Sequence, residues 1–170
     1  MNYTHLEDDI FELFTSIGIA NPSDLKMGDI AARLGVEISY RRDWFSYKDD
    51  VVIVRGSPQE EWQSFGHEIC HHLRHCGNQL LLPRMFVDLQ EWQADHFAYH
   101  FCVPTFMLEK MELVQHRKEN IWNICNTFNV DYEFAKKRLE MYRNKQKQDQ
   151  YRQRMSFKIV AENRSVYSIE

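Results

Sequence analysis

The spacing of apolar residues near the start of the chain predicts two short amphipathic helices. One apolar stripe with a period of about 3.6 residues runs through residues 4–17 and consists of Leu6, Ile10, Leu13 and Ile17. Thr4 and Glu7 form a capping-box pattern where this segment begins. A second helix is expected over residues 24–34, because Gly35 is suited to its C-cap. The chain therefore opens with helices and not with strands.

The period changes after Gly35 from that of a helix to that of a strand. Residues 36–40, VEISY, alternate apolar and polar side chains, which is typical of a half-buried strand. Residues 44–56, WFSYKDDVVIVRG, predict two further strands around a turn at residues 48–50. We therefore expect a small antiparallel sheet in this part of the chain.

Two longer helices are expected after these strands. Ser57 followed by Pro58 is a favourable helix start, because serine can cap the first N–H groups and proline suits the first helical position. This helix should run to about Cys76. Asp88 can cap a second helix that ends near Pro104. Both helices carry histidines and acidic residues, so we look for the chemistry of the chain here.

The remaining pattern predicts more helices up to about residue 150, followed by a tail that is either a late strand or a loose terminus. We divide the chain into a core with N-terminal helices, a helical region packed on it or appended to it, and the tail; these are residues 1–104, 105–155 and 156–170. Helices combined with a small sheet place the protein in the α+β class.

The composition is that of a globular protein, since 44% of the 170 residues are apolar and 27% are charged. The N-terminal residues lack the pattern of a signal peptide, and no apolar run approaches the roughly 18 residues of a membrane helix. We therefore expect a cytoplasmic protein without a membrane partner. The four cysteines form no CxxC pair and predict neither a finger-type zinc site nor a disulfide framework. We interpret them as buried thiols: Cys70, Cys76, Cys102 and Cys125.

Charge is distributed unevenly along the chain. Residues 136–154 carry eight basic and two acidic side chains, which leaves 13 basic and 23 acidic residues elsewhere. Such a run is typical of a solvated helix face. The alternative is a surface for an acidic partner or for nucleic acid.

Residues 67–71 form the sequence HExxH, which offers two histidine ligands to one metal ion. Residues four apart lie on the same helix face, so the imidazoles of His67 and His71 can reach the same ion. Glu68 lies beside them, where it can take a proton from a water molecule that zinc has acidified. The alternative is an exposed helix face that is merely rich in histidine. Zinc is favoured because the histidine face is distinct from the apolar face, which carries Trp62, Ile69 and Leu73.

A catalytic zinc needs a third protein ligand, and Glu91 on the next helix is the candidate. The alternative is that Glu91 only completes a capping box begun by Asp88. Asp95 lies one turn further on the same face and is expected to accept the free N–H of His71; otherwise it is a solvent-facing carboxylate. Two small residues should let this face approach the HExxH helix closely: Ala94 and Ala98. Two histidines fall on the far side and are expected to point outward: His96 and His100.

Two segments together resemble the ImmA/IrrE metallopeptidases of bacteria and their mobile elements. Residues 67–75, HEICHHLRH, are similar to the family pattern HELGH-x-x-x-H, and residues 91–104, EWQADHFAYHFCVP, to E-x-x-A-N-x-F-A-x-x-L-L-x-P. The resemblance extends over about residues 25–142. The departures remove neither a ligand nor the base; they are Cys70 for glycine, Asp95 for the frequent asparagine, and Phe101-Cys102 for two leucines.

The resemblance implies a zincin-like metallopeptidase fold, in which the HExxH helix packs on a helix that bears the glutamate. It also implies one Zn²⁺ per chain, with His67, His71 and Glu91 as ligands and Glu68 as the catalytic base. Members of that family cut a helix-turn-helix repressor, often one encoded beside them on a prophage or integrative element, and so act as antirepressors. We therefore expect such a repressor to be the substrate.

Three further residues are candidates for the cleft. His75 matches a family position and either lies near the cleft or orients a neighbouring side chain. The group that stabilises the oxyanion is not identified by the sequence, and the candidates for it are Tyr99, Tyr47 and His75.

Two other functions fit parts of the sequence. One is a regulatory or protein-binding domain in which zinc is structural and little peptide is cut. The other is direct DNA binding through the C-terminal helices and the basic run. The intact Glu68 favours the peptidase, because a structural zinc site has no use for a base beside an open position. Direct DNA binding is disfavoured because no recognition-helix pattern is evident.

Overall fold

The computed structural model describes residues 3–40, 50–75, 82–114 and 117–166, which form seven α-helices, one 3₁₀ helix and two strands. The elements follow one another in this order: α1 His5–Ser16, the 3₁₀ helix Pro22–Asp24, α2 Met27–Leu34, β1 Glu37–Tyr40, β2 Asp50–Ile53, α3 Pro58–Arg74, α4 Arg84–Cys102, α5 Thr105–Leu108, α6 Arg117–Phe128 and α7 Tyr132–Val166. None of the helices in these ranges combines the length and the hydropathy that crossing a membrane requires.

The two N-terminal helices confirm the local signals of the sequence. The side chain of Thr4 accepts the N–H of Glu7 at 3.3 Å, and the Glu7 carboxylate accepts the N–H of Thr4 at 2.8 Å, so the capping box is complete. Gly35 ends α2 with a φ of 71°, in the left-handed region where glycine carries no Cβ penalty. Helix α2 begins at Met27 and not at residue 24, because the preceding residues form the 3₁₀ helix.

The two strands pair in parallel, so the prediction of an antiparallel sheet is wrong. Glu37 lies opposite Asp50 and Tyr40 opposite Ile53. Alternation of apolar and polar residues decides which face a side chain occupies, but it says nothing about the direction of the pairing. The path between the strands decides that direction, and residues 41–49, where a further strand and part of a turn were predicted, lie outside the described residues.

Helices α3 and α4 form the most extensive contact between two elements of the described chain. Helix α3 has the predicted start, with Ser57 and Glu60 in a complete capping box and Pro58 in the first turn. Helix α4 begins earlier than predicted, at Arg84 with Pro83 as its N-cap. Asp88 therefore lies inside the helix and does not cap it. The alternative that Glu91 serves only a capping box begun by Asp88 is thereby excluded.

Small residues bring the two helices close together. Ala94 and Ala98 of α4 are buried, as the sequence predicted. On α3, a Cβ atom added to Gly66 would lie 2.6 Å from the Sγ atom of Cys102 and 3.5 Å from the Cα atom of Ala98. Real Cβ atoms do not approach as closely as 2.6 Å. The crossing that carries the histidines of α3 toward Glu91 thus depends on a glycine at this position.

Gly66→Ala is expected to lower the free energy of unfolding by about 1–2 kcal/mol. Overpacking a core costs about 1–3 kcal/mol, and the better helix propensity of alanine returns up to about 1 kcal/mol of this. In a Cys102→Ala background the clash with sulfur is gone, so the same substitution should no longer destabilise the protein. The double-mutant cycle compares wild type, Gly66→Ala, Cys102→Ala and the double variant. Urea unfolding of these four proteins measures the energetic coupling between positions 66 and 102. Equal effects of Gly66→Ala in both backgrounds would show that the close crossing is not under steric constraint.

A buried polar network ties α7 to the rest of the protein. Arg138 is almost fully buried and donates to the carbonyl of Val103 at 3.0 Å and to the hydroxyl of Thr105 at 2.7 Å. Thr105 donates in turn to Glu7 at 2.7 Å, and Lys145 also donates to Glu7. Burial alone would raise the pKa of Glu7, but these hydrogen bonds outweigh it and lower that pKa to about 2. Arg138 and Lys145, both from the basic segment 136–154, therefore make hydrogen bonds within the protein and are not part of a solvated helix face.

Helix α7 continues to Val166, so the late strand considered for residues 156–170 is not formed over residues 156–166. A strand must find a sheet edge to pair with, whereas a helix satisfies its backbone hydrogen bonds within its own segment. One hydrophobic core runs through the described part of the chain and joins its N-terminal and C-terminal helices. It includes Phe14, Ile69, Phe101, Ile124 and Leu139.

Candidate metal centre

Three side chains from two helices meet where α3 crosses α4. The Nε2 atoms of His67 and His71 are 3.1 Å apart. The Glu91 carboxylate approaches them through different oxygens, with 3.2 Å from Oε2 to His67 Nε2 and 3.5 Å from Oε1 to His71 Nε2. Among the described residues, these three form the cluster of ligand-type groups that could hold a metal ion. The structure thus brings together the three residues that the sequence proposed as ligands.

The spacing of these atoms fits zinc. Tetrahedral zinc with bonds of about 2.0–2.2 Å places two ligand atoms about 3.3–3.6 Å apart, which is close to the observed 3.1, 3.2 and 3.5 Å. Burial lowers the pKa of His71 to about 4, and the charge of Glu91 offsets this only in part, so the ring is neutral at pH 7 and keeps a lone pair for a metal. The Glu91 side chain is 45% exposed, so the cluster opens to solvent on that side, as a catalytic site requires.

Glu68 lies beside the cluster but is not part of it. Its side chain is half-buried on α3, directly after His67. Burial raises the pKa of its carboxyl group; the nearby His67 charge opposes this rise and the Glu91 charge adds to it. A carboxylate next to the ligands, with a raised pKa and no part in the ligand set, is suited to accept a proton.

Asp95 contacts His67, whereas the sequence predicted His71 as the partner of its carboxylate. Its Oδ1 atom lies 2.9 Å from His67 Nδ1. The helical wheel gave the angular position of Asp95 but not the sense in which α4 crosses α3. Ala98 lies against Gly66, so α4 runs in the direction opposite to α3. Asp95, one turn after Glu91, is therefore next to His67, the first histidine of the motif. The Asp95 carboxylate can accept the Nδ1–H of His67 and leave its Nε2 lone pair for a metal.

Asp95→Ala is expected to weaken zinc binding by about 10- to 100-fold while the fold stays intact, because His67 loses the acceptor that orients its ring. Asp95→Asn should be milder, since the amide oxygen can accept the same N–H. Competition with a chromophoric chelator measures the affinity, and circular dichroism controls for the fold. Equal zinc affinities of wild type and Asp95→Ala would make Asp95 an ordinary surface carboxylate.

His75 lies behind His71, at the end of α3. Its Nδ1 atom is 2.8 Å from His71 Nδ1, and its Nε2 atom is 3.1 Å from Oε1 of Gln93 on α4. Of the two roles considered for His75, the contact favours orientation of a neighbouring side chain. The spacing of four residues from His71 was the signal for this contact. Gln93 gave no such signal, because its approach depends on how the two helices cross.

Comparison with known proteins shows the family of the chain. The Peptidase M78 family, described as the IrrE N-terminal-like domain, matches residues 23–140. The chain belongs to this family. The phage-like element PBSX protein XkdA of Bacillus subtilis (strain 168) is 36% identical over 170 residues, which cover 96% of this chain and 86% of that protein. The uncharacterized protein YqaB of the same organism is 37% identical over 153 residues, which cover 85% of this chain and 89% of that protein. No solved structure gives a significant match.

The resemblance to the ImmA/IrrE metallopeptidases is thereby confirmed, because the matched family is a peptidase family described as the IrrE N-terminal-like domain. The matched range contains both HExxH and the segment from Glu91 to Pro104. The departures at Cys70 and Cys102 lie in the packed interface between α3 and α4 and not in the ligand cluster.

Of the two tyrosines considered for oxyanion stabilisation, the structure describes Tyr99. The ring of Tyr99 packs on Phe134 of α7, with 4.4 Å between the ring centroids. Burial raises the pKa of Tyr99, and the charge of Asp95 adds to this effect. Tyr47 lies outside the described residues. Through this ring contact Tyr99 connects α4 with α7.

The prediction that the other histidines of α4 point outward is wrong. His100 is buried near Glu7, and burial, reinforced by the charge of Arg138, lowers its pKa to about 2. His96 is half-buried and stacks on Trp92 with 5.5 Å between the ring centroids. The physical reason is that α1 packs on α4, so the side away from α3 is also covered.

None of the cysteines in the described ranges belongs to the candidate metal centre. The described cysteines are free and buried, which confirms the prediction for Cys70, Cys102 and Cys125; Cys76 lies outside the described residues. Burial raises the pKa of the Cys70 thiol to about 11, with only a small opposing effect from Arg74. Cys70 is therefore a packed thiol and not a thiolate ligand.

Proposed function

We propose that this member of the Peptidase M78 family is a zinc-dependent endopeptidase that cleaves a helix-turn-helix repressor of a prophage or mobile element and so relieves repression. The observation that carries the proposal is the meeting of His67, His71 and Glu91 within ligand distance of one another, with Glu68 beside them and outside the ligand set.

Each of these residues has a defined part in peptide hydrolysis. His67, His71 and Glu91 would hold the zinc ion. A zinc ion in such a site acts as a Lewis acid toward the substrate carbonyl and toward water. Glu68 accepts the proton of the attacking water and can return it to the leaving amine. The raised pKa of Glu68 strengthens it as a base, because a carboxylate of higher pKa holds the proton more firmly.

Two observations support a polypeptide as the substrate. The first is an exposed apolar stripe on the first turns of α4, next to Glu91, formed by Met85, Leu89 and Trp92. Such a patch is typical of a surface that contacts another protein. The second is the relative XkdA, whose name assigns it to a phage-like element. A phage or mobile element is the genetic setting in which the ImmA/IrrE resemblance implies a repressor as substrate.

A zinc-stabilised binding domain explains these observations less well. A purely structural site has four protein ligands and no base. Within the part of the chain that the structure describes, the cluster offers three ligand residues, and a half-buried carboxylate lies beside them. An open fourth position with a neighbouring base is the arrangement of a hydrolase.

The proposal is tested by co-expressing the chain with the repressor encoded beside it. Wild type should produce a shortened repressor fragment, and a His67→Ala/His71→Ala variant of equal abundance should leave the repressor intact. A reporter driven by the repressed promoter should be activated only with wild type. An intact repressor together with full activation of the reporter would mean that the protein acts by binding and not by cleavage.

A further inference from the structure

The two histidines of HExxH have different partners behind them. His67 contacts the carboxylate of Asp95, whereas His71 contacts the imidazole ring of His75. His75 in turn reaches the side chain of Gln93 on α4. The side chains of Gln93, His75 and His71 therefore form a row of contacts that connects α4 with the metal cluster.

The amide oxygen of Gln93 sets the direction of the hydrogen bonds that connect Gln93, His75 and His71. The Oε1 atom of Gln93 can only accept a hydrogen bond, so the Nε2 atom of a neutral His75, 3.1 Å away, must carry the proton. The Nδ1 atom of His75 then carries a lone pair and no proton. It can accept only if His71 carries its own proton on Nδ1, 2.8 Å away. His71 is thereby left with a lone pair on Nε2, the atom that faces His67 and Glu91.

We propose that His75, held by Gln93, is a positioning residue that fixes the Nδ1–H tautomer and the ring orientation of His71 for metal binding. The inference rests on the proposed function, because it takes His71 to be a zinc ligand. It assigns to His75, the last histidine of the segment 67–75, and to Gln93 a role that the ligand set alone does not require.

The geometry excludes two other roles for His75. It is not a fourth ligand, since both of its ring nitrogens point to Gln93 and to the Nδ1 side of His71, away from the cluster. For the same reason it has no free N–H to offer an oxyanion. Its backbone is fixed as well, because its N–H donates to the carbonyl of His71 at 3.1 Å where α3 ends.

Zinc affinity of the purified protein, measured by chelator competition, provides the first test. His75→Ala should weaken zinc binding by about 10- to 100-fold. His75→Asn should recover most of the loss, because the asparagine oxygen lies near the position of the histidine Nδ1 and can accept the same proton. Gln93→Leu should weaken binding by a smaller factor and Gln93→Glu should not. The matched control is His72→Ala, an exposed histidine on the same helix, which should bind zinc like wild type.

A second measurement reads the tautomer itself. In zinc-loaded protein with ¹⁵N-labelled histidine, the Nδ1–H signal of His71 should be observed and protected from exchange. His75→Ala should lose this protection and His75→Asn should keep it, a difference that a merely structural role of His75 does not produce.

The outcomes separate this inference from the proposed function. If His67→Ala and His71→Ala abolish zinc binding while His75→Ala leaves affinity and protection unchanged, only the role of His75 is overturned. Equal losses in His75→Ala and His75→Asn would also overturn it, because packing and not the hydrogen bond would then be responsible. If no histidine variant affects zinc binding, the metal centre itself is in error.

Discussion

Glu68→Gln is expected to abolish repressor cleavage while zinc content, fold and repressor binding remain at wild-type levels. The amide has the size and shape of the carboxylate but cannot accept a proton from water, and loss of a general base costs about 10²–10⁴-fold in rate. Zinc should be retained because Glu68 lies outside the cluster of His67, His71 and Glu91. The rate is measured by single-turnover cleavage and the zinc content by atomic absorption.

The matched control for this substitution is Glu12→Gln, which makes the same chemical change at an exposed position on α1. It should cleave at the wild-type rate. Cleavage by Glu68→Gln at more than about a tenth of the wild-type rate would assign the proton transfer to another group, since a general base contributes about 10²-fold or more.

Glu91→Ala is expected to weaken zinc binding by more than about 100-fold, because it removes a ligand, whereas the loss of a residue behind a ligand costs about 10- to 100-fold. The carboxylate stands 3.2 Å from His67 Nε2 and 3.5 Å from His71 Nε2, so no other side chain of the cluster can replace it. Cleavage should fall in parallel at limiting zinc.

Asp88→Ala is the control for Glu91→Ala. It removes an exposed carboxylate from the same helix, about one turn earlier and outside the ligand cluster, and should leave zinc affinity unchanged. Full zinc affinity in Glu91→Ala would exclude Glu91 as a ligand and return the choice to Asp95, which lies one turn away and already contacts His67.

Local signals in the sequence predicted what depends on local geometry. Capping boxes at Thr4 and Ser57 need only residues three apart, and both are present. The meeting of His67 and His71 needs only the helical period. Small residues of α4 predicted that it would pack closely on α3, and Ala98 lies against Gly66.

Features that depend on how distant segments meet could not be read from the sequence. The pairing of β1 with β2 is parallel, and the alternation of apolar and polar residues does not encode the direction of pairing. Asp95 meets His67 because of the direction in which α4 crosses α3. His100 is buried because α1, more than 80 positions earlier, covers α4 and supplies Glu7. Strand alternation and the helical wheel each treat one element alone, so neither reveals how two elements meet.

The most direct test of a zinc peptidase is mass spectrometry of the purified repressor after incubation with the purified chain. Zinc-loaded wild type is expected to yield two fragments whose masses add up to the repressor plus one water, from a cut at a single bond. Removal of zinc by a chelator should stop the reaction, addition of zinc should restore it, and Glu68→Gln should give no fragments. An intact repressor that forms a stable complex with wild type and with Glu68→Gln alike would contradict the account and identify the protein as a zinc-stabilised binder.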